Sequence, residues 1–182
     1  TSAGDWVLAA TNAGFDFMDA VTALGYLAMD ESLRPVGWTD QYIKETVYHD
    51  PIPVEFEERI YPRVFKDAQD LEADDDGTLV VLFGDIGELS SLAEGRKTCS
   101  TKCTFDSEDV KSFLASIDDA EAVRDPSKFA RINAHIPANL LIKSNEALLR
   151  ELLEGIQKYV EAGTVKWATQ LKAYEAFEAT VD

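Results

Sequence analysis

The two cysteines, Cys99 and Cys103, are the first residues whose chemistry could define a function. They could form a short disulfide loop, supply two ligands to a metal site, or remain ordinary thiols. A zinc site needs about four ligands, and the two histidines, His49 and His135, lie far away in the sequence. Because the flanking residues are polar and free thiols there would be exposed, we predict a disulfide that pins a local turn, and no metal site.

Asp16 and Asp19 are the carboxylates whose surroundings come closest to those of an acid–base site. They are three residues apart in an otherwise apolar segment, so a helix would place them on one face. General acid–base catalysis needs a carboxylic acid whose pKa is raised by burial. The alternative is that the pair marks the solvent-facing strip of that helix. Since no other motif supports catalysis, we predict no catalytic residue and rank a carboxylate-based enzyme last among the functions.

Other recognisable chemistry is absent from the sequence. His49 is followed by Asp50, but a neighbour in sequence does not orient an imidazole. The chain has no Gly-x-Ser-x-Gly elbow and no glycine-rich phosphate loop. Residues 72–77 match the first half of a calcium-binding loop, but Phe83 stands where the bidentate glutamate is needed. We therefore predict no cofactor, and at most a weak, exchangeable cation on this acidic loop.

The charge balance excludes two classes of partner. The chain has 34 Asp and Glu residues against 17 Lys and Arg residues, which gives a net charge of −17. Such a chain repels phosphate backbones and anionic lipid headgroups, so binding to nucleic acid is not expected. The same charge would steer the protein towards a partner with a basic surface.

The longest apolar segment, residues 6–29, has apolar residues at helical spacing from Trp6 to Leu27. We predict one long helix that is covered on most of its circumference. Gly14 and Gly25 are eleven residues apart, about three turns, and would share a face. A neighbouring helix packed closely on that face is one interpretation. The other is a flat apolar ligand or pigment in a cavity lined by Gly14, Met18 and Gly25.

Residues 34–62 contain four prolines and a set of aromatic side chains. We interpret this segment as a long connection that wraps one end of the core. Exposed aromatic residues often anchor interfaces, and packing of the connection onto the core is the competing explanation. The predicted partner-binding residues are Trp38, Tyr42, Tyr48 and Tyr61.

The remaining segments also favour helices. Asp106 is a predicted N-cap, and residues 137–162 form the clearest helical pattern, which Gly163 ends. Residues 78–83 fit a strand or a helix, and we predict a helix because no partner strand is evident. The expected fold is all-α: an irregular bundle of about five to six helices with the long proline- and aromatic-rich connection, forming one domain over residues 1–182.

The sequence therefore predicts a non-enzymatic, acidic helical protein that binds a protein partner, as an accessory subunit of a larger assembly. The alternative is a carrier of a small apolar ligand. The small residues at positions 1–4 suit the position after a signal cleavage, which favours a secreted or organelle-lumenal location. Charges within residues 6–29 argue against membrane insertion.

Overall fold

The computed structural model describes residues 5–19, 36–39, 41, 56–66, 77–90, 92 and 104–181. Helices and strands are mixed along this part of the chain, and two short 3-10 turns, Ala138–Leu140 and Lys143–Asn145, precede the fourth helix. The helices are α1 (Asp5–Asn12), α2 (Phe56–Arg59), α3 (Ser107–Val123), α4 (Glu146–Glu161) and α5 (Gln170–Val181), and the strands are β1 (Phe17–Asp19), β2 (Arg63–Phe65), β3 (Leu79–Leu82), β4 (Asp85–Glu88) and β5 (Asn133–His135).

The prediction of an all-α bundle is wrong, because the described residues form a three-stranded and a two-stranded sheet. Strand β3 is the centre of the larger sheet: β1 pairs with it in parallel and β2 pairs with it antiparallel. All four residues of β3 are buried, as expected for an apolar run covered on both faces. The helix predicted for residues 78–83 is therefore a strand. Its two partners are only three residues long, too short for hydrophobic periodicity to reveal.

The larger sheet lies between two helices. On one face, Val7 of α1 packs with Leu79 and Val81 of β3. On the other face, Val80 and Leu82 pack against Ala173 of α5. Consecutive side chains of a strand point to opposite faces, so β1 contributes to both layers. Met18 joins the α1 layer, while the ring of Phe17 stacks on Tyr174 of α5 with ring centroids 4.8 Å apart.

The single helix predicted for residues 6–29 is also wrong, since α1 ends at Asn12. Gly14 adopts a positive φ of 83°. Its N–H donates to the carbonyl of Thr11 at 3.0 Å, and the N–H of Phe15 donates to the carbonyl of Ala10 at 3.1 Å. These two bonds and the left-handed glycine form a Schellman motif, which ends a helix. The chain then enters β1, and residues 20–29 lie outside the described part.

We expect Gly14→Ala to lower the free energy of unfolding by about 1–2 kcal/mol, because a side chain disfavours left-handed backbone. An added Cβ would meet no heavy atom within 4 Å, so the loss would be conformational. Urea denaturation measures it, with Gly14→Asn as the control, since asparagine tolerates this conformation better. An unchanged unfolding midpoint in Gly14→Ala would contradict this explanation of the helix end.

The smaller sheet adjoins a helical layer. Strand β4 pairs in parallel with β5, and α3 packs against α4. The predicted cap of α3 is confirmed, because the Asp106 carboxylate accepts the N–H of Glu108 at 2.9 Å. The predicted end of α4 at Gly163 is confirmed as well, with φ at 78°. The buried residues of this layer are Leu89, Phe105, Val110, Ile117, Leu140, Leu152 and Ile156.

Candidate functional site

The aromatic residues predicted to bind a partner are described only in part. Trp38 and Tyr61 are both half-buried. The hydroxyl oxygen of Tyr61 accepts the N–H of Asp125 at 2.6 Å, and the Lys128 ammonium lies 5.3 Å from the ring centroid. Tyr61 therefore connects the chain between α2 and β2 to the segment after α3. Tyr42 and Tyr48 lie outside the described residues, so the binding role of this set stays a prediction.

The glycine face proposed to line a ligand cavity does not exist as one helical face. Gly14 lies in the turn after α1, and Met18 lies in β1, where it packs against a core cluster. Gly25 lies outside the described residues. The turn explains the glycine at position 14 without a ligand, since its positive φ ends the helix.

The predictions for the cysteines and the acidic loop concern residues outside the described part of the chain. Cys99, Cys103 and residues 72–76 lie outside the described part, so the disulfide remains a prediction. Among the residues that the structure does describe, no group of three or more His, Cys, Asp or Glu side chains is arranged to hold a metal ion.

A buried charged cluster, formed by Asp19, Asp85, Arg131 and the half-buried His135, lies where the two sheets approach each other, and the exposed amide of Gln170 bonds to its edge. Asp19 ends β1, and Arg131 lies just before β5. The guanidinium pairs with both carboxylate oxygens, with Nη1 2.7 Å from Oδ1 and Nη2 3.2 Å from Oδ2. The two side chains are only 11% and 9% exposed, so this ion pair is largely shielded from water.

Arg131 and Asp19 make further bonds to other elements. Nη1 of Arg131 also donates to the carbonyls of Leu82 and Phe83, at 2.8 and 3.3 Å. The side-chain amide of Gln170 donates to Oδ2 of Asp19 at 2.6 Å. These bonds join the ends of β1 and β3, the chain before β5 and the start of α5. Because the charges are paired and bonded, we assign this part of the cluster a structural role.

The two carboxylates singled out in the sequence occupy different environments. Asp16 is exposed, whereas Asp19 is buried in its pair with Arg131. Asp16 and Asp19 therefore do not share one shielded pocket, as a catalytic pair of carboxylates would. Sequence reasoning missed Arg131, which is 112 residues away along the chain and carries no local signal.

Asp85 is the least accessible charged side chain of the cluster, at 1% exposure. Its Oδ1 accepts the N–H of Gly87 at 2.8 Å. Its Oδ2 lies 3.3 Å from Nε2 of His135, within ion-pair range but without hydrogen-bond geometry. Burial raises the pKa of Asp85, and the nearby Asp19 carboxylate adds to that effect. The bond from Gly87 and the proximity of His135 and Arg131 act in the opposite direction.

An open apolar groove runs along α4 and is the second candidate site. We call it the α4 groove; its volume is about 650 Å³. Its apolar lining includes Leu141, Ile142 and Leu153, which are 62%, 52% and 52% exposed, and the half-buried Leu149. The polar residues around it are Lys143, Glu146, Arg150, Glu154 and Gln157.

The groove follows from a doubling of leucines in α4. Leu152 and Leu153 are neighbours, and successive helical residues differ by about 100° around the axis. Leu152 is buried in the layer with α3, so Leu153 turns away from that layer and is exposed. The same alternation holds just before the helix, where Leu140 is buried and Leu141 is exposed. Helix α4 therefore has apolar side chains on two faces, of which one packs in the core.

None of the described helices combines the length and apolar composition needed to cross a lipid bilayer. A scan against protein-family models, a search of curated proteins and a search of solved structures found no match for this chain.

Proposed function

We propose that the protein acts by binding another protein, and that the partner docks in the α4 groove. The observation that carries this proposal is the grouping of three large aliphatic side chains, Leu141, Ile142 and Leu153, each more than half exposed. Single exposed apolar residues are common on protein surfaces, but a contiguous set rimmed by polar residues marks an interaction site.

The rim of the groove supports the same function. Glu146 and Arg150 form an exposed ion pair at 3.2 Å. Lys143 and Glu154 also line the groove and are exposed. An apolar centre within a charged rim is the usual anatomy of a protein interface, in which the rim contributes mainly to orientation and specificity.

The net charge favours one class of occupant. A second copy of this chain would bring −17 against −17, which opposes association at low ionic strength. A partner with a basic surface would instead be attracted, and its binding would weaken as salt rises. We therefore propose a basic protein partner, with this chain as an accessory subunit of the complex.

Site-specific photo-crosslinking tests the proposal. A photoreactive amino acid replaces Leu153 in the full chain, which is then irradiated in extracts of its source. We expect one dominant adduct with a basic protein, formed at low salt and lost at high salt. Ile142→Ser should reduce its yield by about tenfold, since burial of an isoleucine side chain contributes about 1.5–3 kcal/mol.

The matched control places the same photoreactive residue at Leu171 of α5, which is also 52% exposed but does not line the groove. The control should give no such adduct. Equal yields from the two positions, or an adduct that Ile142→Ser leaves unchanged, would refute docking in the groove. An adduct between two copies of the chain would contradict the basic partner.

A further inference from the structure

The contact between Asp85 and His135 joins β4 to β5 where the pairing of the two strands is irregular. At one end of the irregular stretch the N–H of Asn133 donates to the carbonyl of Gly84 at 2.7 Å, and at the other the N–H of Leu89 donates to the carbonyl of His135 at 2.9 Å. The side-chain contact lies between these two bonds.

The two side chains differ in their access to water. The Asp85 carboxyl is 1% exposed, whereas the His135 imidazole is 28% exposed. A proton can therefore reach the pair from solvent through the imidazole. Oδ2 of Asp85 has no hydrogen-bond donor in the described structure, and Nε2 of His135 lies 3.3 Å from it.

We propose that Asp85 and His135 form a proton-dependent latch between β4 and β5, closed when the two side chains share a proton and open when that proton is lost. With one proton on the pair, either the imidazolium faces the carboxylate or the carboxylic acid donates to the neutral imidazole. In both cases a donor faces an acceptor. Without that proton, a buried carboxylate has lost its compensating charge, which is costly in a shielded site.

Burial is the largest cause of the raised pKa of Asp85, and the nearby Asp19, at the end of β1, adds to it. The bond from Gly87 and the charges of His135 and Arg131 lower it. Arg131 is itself paired with Asp19, so Asp85 is the carboxylate of the cluster without a permanent cationic partner.

The direction of the pH effect follows from linkage. A folded-state pKa above its unfolded value means that the folded state holds the proton more tightly. The stability contributed by the latch is therefore present at low pH and is lost as pH rises through the raised folded-state pKa of Asp85.

A double-mutant cycle in the full chain tests the latch. The wild type, Asp85→Asn, His135→Gln and the double variant are unfolded with urea at about pH 4, near the ordinary pKa of an aspartate, and at about pH 8, well above it. We expect a coupling of about tenfold in the unfolding equilibrium constant at the lower pH, a size found for residues in direct contact. At the higher pH we expect no coupling, so that Asp85→Asn changes the unfolding equilibrium constant by the same factor with and without His135→Gln.

The matched control is Asp109→Asn combined with His135→Gln. Asp109 is also buried, but its carboxylate caps α3 and accepts the N–H groups of Asp106 and Leu92. Asp109→Asn should destabilise the protein at both pH values. The size of that loss should be the same with and without His135→Gln. Equal coupling of Asp85 and His135 at the two pH values, or none at either, would overturn the latch.

Nuclear magnetic resonance of the folded protein keeps the proposal testable even where Asp85→Asn fails to fold. The chain has two histidines, so His49→Gln leaves His135 as the one imidazole to follow. We expect the chemical shifts of the His135 ring and of the Asp85 carboxyl carbon to change together as pH is varied. If the two groups change at clearly different pH values, the side chains share no proton and the latch is refuted.

Discussion

Replacing Arg131 with methionine is expected to lower the free energy of unfolding by about 3–5 kcal/mol, the loss seen when one partner of a buried ion pair is removed. Methionine fills much of the space of the arginine stem but offers no donor. The Asp19 carboxylate would keep the bond from Gln170 and lose its charge partner. The carbonyls of Leu82 and Phe83 would each lose a bond at the end of β3. Urea denaturation measures the effect.

Two further variants identify the cause of that loss. In Asp19→Leu with Arg131→Met, no charge is left unpaired, so the double variant should lose less than the sum of its two single variants. Arg124→Met is the surface control, because Arg124 pairs with Glu121 in an exposed position and little stability depends on it. A similar small loss in Arg131→Met and Arg124→Met would show that the buried pair does not hold the sheets together.

Gly84→Ala is expected to destabilise the protein by about 2–5 kcal/mol, from two additive causes. Gly84 has a φ of 108°, which side chains rarely adopt, and such strain costs about 1–2 kcal/mol. An added Cβ would lie 2.2 Å from the carbonyl oxygen of Arg131. Backbone must move to relieve that clash, at a further cost of about 1–3 kcal/mol. The movement would also disturb the bond from Asn133 to the Gly84 carbonyl.

Gly37→Ala separates the two causes. Gly37 has a comparable φ of 87°, but a Cβ there would meet no heavy atom within 4 Å. Its substitution should cost only the conformational part, about 1–2 kcal/mol. Urea unfolding of both variants provides the comparison. Equal losses would mean that the close approach of Arg131 to Gly84 does not constrain the fold.

Local signals in the sequence predict some helix ends but not others: the helix predicted over residues 137–162 begins only at Glu146. Asp106 caps α3 as predicted, because its carboxylate satisfies N–H groups of the first turn. Gly163 ends α4 through its left-handed conformation. The same reasoning was available at Gly14, where a glycine ends α1 in the same way, but the continuous apolar stripe from Trp6 onwards favoured a longer helix.

The sheets could not be predicted in this way. Strands β1 and β2 have three residues each, so neither shows an alternating pattern. We predicted no strand at β3 because no partner was evident, but its two partner strands come from earlier in the chain: Phe17 of β1 and Val64 of β2 both pair with Val80. The apolar residues around β1 have helical spacing, but this spacing does not indicate the local structure. Strand β1 forms because Phe17 pairs with Val80, which is distant in the sequence.

The two candidate sites differ in how far the sequence reveals them. The buried charged cluster joins residues from Asp19 to Gln170, and no spacing rule relates them. The α4 groove has a sequence signal that was not used: leucines occur in adjacent pairs at 140–141, 148–149 and 152–153. A helix with one buried stripe needs only one leucine of each pair, so the doubled leucines indicate a second apolar face.

The most direct test of docking in the α4 groove measures the exposure of its methyl groups. A soluble paramagnetic agent is added to methyl-labelled protein, free and in the complex identified by crosslinking. The account predicts strong relaxation of the Ile142 and Leu153 methyls in the free protein, its loss in the complex, and an unchanged Leu171. Ile142 and Leu153 methyls that are already shielded in the free protein, or that stay exposed in the complex, would contradict it.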